Sequence, residues 1–327
     1  MKHNAKRYTR AGFRQCAASV AATTSELVTN QQTGLYPDSP GGTIHHYSGH
    51  ITTKDRLELF WQSWSASEPC GVIVIIHGLA EHCGRYRETG EFFAAKGWAV
   101  YACDLRSHGL SPDPPGAGRV HVDRFTDFLL DVDALVAYAR SRQKNLPVYI
   151  LGHSMGGLIT ILYAMQNPQN LAGAIVSSPA LGTHPDFKPP LYLKLMVGIL
   201  SRIAPRMRVK SNLDAQAISR DSAVVENYLN DPLVSNMVST RWYSEIIKSM
   251  KTAHQLAPRL VTPTLVMQSG ADRLVDPSAP ARWVETTPGG MAESVLWEGL
   301  YHEMFNEPEK EKVRARTLEW LAGRSAF

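Results

Sequence analysis

Residues 72–76 read Val-Ile-Val-Ile-Ile, five β-branched side chains in succession with no polar face between them. Such a run cannot lie half in water. GVIVIIHG (Gly71 to Gly78) therefore predicts a strand buried on both faces, and a sheet buried on both faces needs helices on both sides. The chain around it alternates accordingly. RLELFWQSW (Arg56 to Trp64) predicts an early strand, Arg85 to Lys96 a helix and WAVYACD (Trp98 to Asp104) the next strand. From Asp123 to Arg142, Phe125, Phe128, Leu129, Val132, Leu135 and Val136 recur at helical spacing. PVYILG, AGAIVSS, PTLVMQSGAD and ESVLWEG supply four later strands, with helices at about Gly157 to Met165 and Glu309 to Leu321. Strand alternating with helix at this length predicts a doubly wound, mostly parallel α/β sheet spanning 42–327.

One region breaks the pattern. Between Ala180 and Leu260 no strand is legible, only helical or irregular segments carrying prolines at 185, 189, 190, 205 and 232. An all-helical insertion of about 180–260 between two strands predicts a cap over the carboxyl edge of the sheet, where α/β proteins bind ligands.

At the end of PVYIL the chain reads Gly152-His153-Ser154-Met155-Gly156 and then opens an apolar helix. In a G-x-S-x-G elbow the sharp turn from strand to helix holds the serine hydroxyl above the sheet. A serine is a poor nucleophile at neutral pH without a base, and the base needs an acid to orient it. His302 follows the strand SVLWEG and Asp272 follows TLVMQSG, both at the carboxyl edge. Asp276, four residues along the same loop, is the alternative acid. The order Ser, Asp, His is that of an α/β-hydrolase. Oxyanion donors are expected from the backbone N–H of Met155, at the helix start, and of Leu79, in the loop HGLAEH. His77 is expected to fix that loop through its ring nitrogens.

HGLAEHCGRY, DLRSHGLS, GHSMGG, LDAQAISRD, DPLV, SGADRLVDP and YHEMFNE, distributed from His77 to Glu307, together resemble the monoglyceride lipase and lysophospholipase group of α/β-hydrolases. The resemblance runs from about Gly42 to the end of the chain and implies an α/β-hydrolase fold with a helical cap insertion. It also implies cofactor-free hydrolysis of carboxylic esters of glycerol lipids, most of all monoacylglycerol, through an acyl-enzyme on Ser154. In the family pattern Leu79 and Met155 form the oxyanion pair and Asp272 is the acid. Leu79 stands where the mammalian monoglyceride lipases carry alanine, a change that a backbone donor tolerates. DLRSHGLS is expected to serve packing and loop geometry. Lysophospholipase, general carboxylesterase, peptidase and thioesterase activities share the same triad, and a ligand receptor on a hydrolase scaffold is the reading from a different class.

The cap segment PPLYLKLMVGILSRIAP (Pro189 to Pro205) is apolar but interrupted by Lys194 and Arg202, too short and too charged to cross a membrane. It is expected to line an acyl tunnel with Leu191, Leu195, Val197 and Leu200, and to rest transiently on a lipid surface. The net charge of +4 is concentrated in Lys2, Lys6, Arg7, Arg10 and Arg14, which precede the first acidic residue, Glu26. Without those five the chain is near neutral, which gives no footprint for nucleic acid. Residues 1–41 are expected to be a basic, disordered leader, with organelle targeting as the alternative. Cys16, Cys70, Cys83 and Cys103 show no zinc spacing, and His45, His46 and His50 have no carboxylate nearby, so no metal is expected, and reduced thiols in a cytoplasmic compartment are the default expectation. Nothing in the sequence sets an oligomeric state.

Overall fold

The computed structural model describes residues 32–39, 42–187, 190–211 and 213–324. The sheet opens with three antiparallel strands, β1 (Gln32–Ser39), β2 (Gly42–Thr52) and β3 (Glu58–Ser65). β1 falls within the stretch expected to be leader; residues 1–31 lie outside the described residues. Then come β4 (Gly71–Ile76), α1 (Arg87–Ala95), β5 (Trp98–Cys103), α2 (Asp127–Arg142), β6 (Val148–His153), α3 (Met155–Gln166) and β7 (Gly173–Ser177). After the cap, α4 (Leu191–Ile203), β8 (Arg208–Lys210), α5 (Ser222–Asn230), β9 (Met237–Ser239) and α6 (Thr240–Leu256), the chain returns through β10 (Thr264–Ser269), α7 (Ala279–Glu285), β11 (Ala292–Trp297) and α8 (Lys310–Ala322).

The main sheet has nine strands in the order β1-β2-β3-β5-β4-β6-β7-β10-β11. From β5 to β11 every pairing is parallel. β4 lies at its centre and shows why the five-residue run is obligatory. Val72, Val74 and Ile76 point into the layer formed with α2, α3 and α6, while Ile73 and Ile75 point into the layer formed with α1 and α8. All five are at most 1% exposed. Burying each such side chain stabilises the fold by about 1.5–3 kcal/mol.

The cap departs from the expected all-helical insertion. β8 and β9 pair antiparallel as a small separate sheet. At three residues each they are too short to show a periodicity. Trp242 and Ile246 of α6 are buried with the main core, and α6 packs against α3, which seats the cap on the hydrolase core.

Candidate active site

Ser154 lies between the end of β6 and the start of α3 in a backbone conformation of φ 53° and ψ −115°, which side-chain-bearing residues rarely adopt. Its N–H donates to the Ser177 carbonyl at 2.9 Å, and its own carbonyl accepts from Leu158 at 3.1 Å and Ala180 at 3.0 Å. These bonds hold the strain. The flanking glycines serve closeness: a Cβ on Gly156 would collide with the Ile76 carbonyl of β4, and one on Gly152 with the Gly156 carbonyl. α3 can thus start directly against the sheet.

The Ser154 hydroxyl faces His302 Nε2 at 2.9 Å, and His302 Nδ1 faces Asp272 Oδ2 at 2.7 Å. Asp272 Oδ1 accepts from the backbone N–H groups of Leu274 at 2.9 Å and Val275 at 3.1 Å. Burial disfavours the Asp272 charge, but the histidine and those backbone donors outweigh it and hold its pKa below the usual carboxylate range. For His302 burial works against the imidazolium, yet the Asp272 carboxylate prevails, with help from Glu303 and Glu81, and raises its pKa. The carboxylate accepts a hydrogen bond from Nδ1–H, which keeps the proton on that nitrogen and leaves Nε2 to accept from the serine hydroxyl. The alternative acid is engaged elsewhere: Asp276 pairs with Arg282 at 2.6 Å and accepts from Ser278.

Leu79 and Met155 both line the cavity in front of Ser154. Met155 opens α3, so its N–H has no acceptor within the helix. The Leu79 peptide is set by His77. The N–H of Leu105 donates to His77 Nε2 at 2.9 Å, which leaves the proton on Nδ1, 2.7 Å from the Gly78 carbonyl. Burial lowers the His77 pKa to about 3, so the ring stays neutral and this tautomer persists. In a planar trans peptide the Leu79 N–H points opposite to the Gly78 carbonyl, so holding one aims the other. DLRSHGLS packs beside this loop: Asp104 accepts from the N–H groups of Cys83 and Leu110 at 2.7 Å each, and Arg106 pairs with Asp131 at 2.6 Å.

Sequence reasoning passed over three charged residues here. Arg85 is bidentate to Glu303 at 2.7 and 2.8 Å and reaches Glu81 at 2.8 Å. Glu81 also accepts from the Gly78 N–H at 2.6 Å and the Tyr86 hydroxyl at 2.9 Å. One buried guanidinium therefore ties the oxyanion loop to the loop bearing His302, and it stacks 4.9 Å from the Tyr228 ring of the cap. Burial disfavours the Glu303 charge, but the Arg85 guanidinium outweighs it and holds the Glu303 pKa well below the usual carboxylate range. The i,i+4 spacing of Glu81 and Arg85 was the available signal, whereas the partnership with Glu303 crosses 218 positions. His82 adds a second tie, 2.8 Å from Asp231 in the cap.

The cavity in front of Ser154 measures about 390 Å³. Apolar side chains from α6, Trp242, Tyr243, Ile246, Ile247 and Met250, form much of its wall, joined by Leu79, Ile218 and Val275. The four residues expected to line it are absent from that wall. Leu191 and Leu195 are 72% and 60% exposed, Val197 faces a neighbouring cavity and Leu200 is half-buried. α4 packs on the outside of α6, so α6 stands between it and the serine. An apolar run does not reveal which of two stacked helices is the inner one. Among the described residues no cluster of His, Cys, Asp or Glu is arranged to hold a metal ion, and no helix is long and apolar enough to cross a membrane.

Residues 67–309 match the family described as serine aminopeptidase, S33. The chain is 40% identical over 256 residues to phospholipase YtpA of Bacillus subtilis, covering 77% of this chain and 95% of that protein. It is 34% identical over 267 residues to the monoacylglycerol lipase of Mycolicibacterium smegmatis, covering 81% and 93%. The crystal structure of Paleococcus ferrophilus monoacylglycerol lipase superposes with a TM-score of 0.73 at 30% identity, over 82% of this chain and 100% of that one.

Proposed function

The chain belongs to the serine aminopeptidase S33 family of α/β-hydrolases, and from that premise we propose that it cleaves monoacylglycerols to glycerol and fatty acid through an acyl-enzyme on Ser154. It is a carboxylic ester hydrolase acting on lipid esters. The observation that carries the finer reading is the unbroken relay from Asp272 through His302 to Ser154, opening into an apolar cavity.

In this mechanism Ser154 Oγ attacks the ester carbonyl while His302 Nε2 takes its proton. The Asp272 carboxylate stabilises the resulting imidazolium, and the N–H groups of Leu79 and Met155 hold the oxyanion. His302 then returns the proton to the departing glycerol oxygen. Water, activated by the same histidine, releases the fatty acid. An aminopeptidase would need a free carboxylate near the serine to hold a substrate ammonium. Glu81 and Glu303 are both committed to Arg85, and the remaining acid of the cavity wall, Asp186, is exposed at its mouth.

α4 turns Leu191, Tyr192, Leu195, Met196, Ile199 and Ile203 to solvent, which supports transient contact between the cap and a lipid surface. The free thiols of Cys70, Cys83 and Cys103 are in keeping with a cytoplasmic, peripheral location. Lysophospholipid hydrolysis is the second reading. It is favoured by the name of the Bacillus relative and by the Arg273 guanidinium in the cavity wall, whose Nη2 donates to the Gln216 carbonyl at 2.6 Å and lies 3.7 Å from Asp214, with its other N–H groups left to meet a phosphate. The test is kcat/KM for monooleoylglycerol, lysophosphatidylcholine and p-nitrophenyl butyrate on one purified sample. A preference for monooleoylglycerol is expected; a tenfold preference for the lysolipid would replace the first reading with the second.

A further inference from the structure

A second cavity of about 390 Å³ lies between α4 and α6, and none of Ser154, Asp272 and His302 reaches it. It shares Thr183, Phe187, Tyr243 and Ile247 with the catalytic cavity. Tyr243 and Ile247 are one turn apart on α6, with Met250 facing only the catalytic side and Ser244 and Lys251 only the far side. The two cavities are therefore separated by a single layer of side chains. Within it Tyr243 is the largest group carried by a helix, since Phe187 belongs to a loop.

Two further observations bear on that layer. The Tyr243 hydroxyl makes no hydrogen bond among the described residues, so the ring occupies space without anchoring anything. Across the second cavity, on α4, a Cβ added at Gly198 would meet nothing within 4 Å. Among the described residues, the far cavity is bounded by a glycine and lies beyond a ring held by packing alone.

We infer that Tyr243 is a specificity-determining residue that closes the distal end of the acyl pocket, and that the cavity beyond it is an extension the wild-type enzyme does not use. The inference rests on the acyl-ester reading above. An acyl chain that outgrows the first cavity meets the Tyr243 ring, and a smaller side chain there joins the two spaces. Each methylene then buried raises kcat/KM by up to about fourfold, the equivalent of about 0.8 kcal/mol.

The test is the kcat/KM profile over p-nitrophenyl esters from butyrate to stearate for wild type, Tyr243→Ala, Tyr243→Leu, Gly198→Phe and the double variant Tyr243→Ala with Gly198→Phe. Folding is checked by circular dichroism. Tyr243→Ala is expected to move the optimum at least two carbons longer, with about a tenfold gain for the longer ester relative to the wild-type optimum. Tyr243→Leu moves it less. Gly198→Phe, by filling the far cavity, leaves the wild-type profile in place and cancels the shift in the double variant. A folded Tyr243→Leu or Tyr243→Ala protein with the wild-type optimum overturns the inference, as does a shift that Gly198→Phe does not reverse. A wild-type profile that falls from butyrate onward overturns the acyl-pocket reading itself, and the inference with it.

Discussion

Replacing Asp272 by asparagine keeps the shape of the triad and inverts its proton. Oδ1 of Asp272 accepts two backbone N–H groups, from Leu274 and Val275, and an amide nitrogen cannot take that place. Two backbone donors at Oδ1 outweigh the one longer side-chain donor at Oδ2, Gln268 Nε2 at 3.3 Å, so the Asn oxygen takes the Oδ1 position and turns the NH₂ toward His302 Nδ1, at the 2.7 Å position now held by Oδ2. Facing a donor, Nδ1 gives up its proton and becomes an acceptor. Nε2 then carries the hydrogen and points it at Ser154 Oγ, so the base is blocked. The charge that raised the His302 pKa is lost as well. The expected cost is about 10⁴-fold in kcat, or about 5.5 kcal/mol of transition-state stabilisation, with little change in KM. Asp276→Asn, which alters only the Ser278 and Arg282 contacts, is expected to stay within about tenfold of wild type. Both are measured as kcat and KM on p-nitrophenyl butyrate, alongside thermal melting to verify folding. Asp272→Asn within tenfold of wild type, or an Asp276→Asn loss larger than that of Asp272→Asn, would refute the proton placement.

Hydrolysis requires neutral His302, so kcat/KM should fall as pH drops through a value above 6.5, the ordinary histidine pKa. Glu303→Gln removes a carboxylate that raises this pKa, so the acidic limb of the profile should move to lower pH; an unmoved limb would mean Glu303 has no electrostatic hold on the base. Gly156→Ala puts a methyl into the Ile76 carbonyl and must push the start of α3 off β4, with an expected loss of about 2 kcal/mol or more in chemical denaturation and a lower kcat. Leu195→Glu with Ile199→Glu places two charges on the exposed face of α4, and flotation with phospholipid vesicles should drop while p-nitrophenyl butyrate turnover is retained. Undiminished flotation would place the lipid contact elsewhere.

What the sequence disclosed and what it withheld divide along physical lines. β4 was legible because a solid Val/Ile run admits one environment, and the elbow because a strand, a serine between glycines and a helix must follow in that order. Asp272 and His302 were legible from their positions just past strand ends. The Arg85 clamp was not, because its partners Glu81 and Glu303 lie on separate loops and only the fold unites them. The acyl wall was assigned to α4 instead of α6. Both helices carry apolar stripes, and which one stacks inside is decided by Trp242, whose indole N–H reaches Met155 Sδ at 3.4 Å and seats α6 against the elbow. The β8–β9 pair was too short to leave a pattern, and β1 hid in a stretch with the composition of a leader.

The central claim is that lipid-ester cleavage passes through an acyl group on Ser154. Purified protein mixed with monooleoylglycerol, quenched in acid within the first turnovers and digested for mass spectrometry, tests it directly. The account predicts an oleoyl adduct on the peptide containing Ser154, absent from Ser154→Ala, which should also release no glycerol. Glycerol release by Ser154→Ala at a rate near that of wild type, or an adduct confined to another residue, would contradict it.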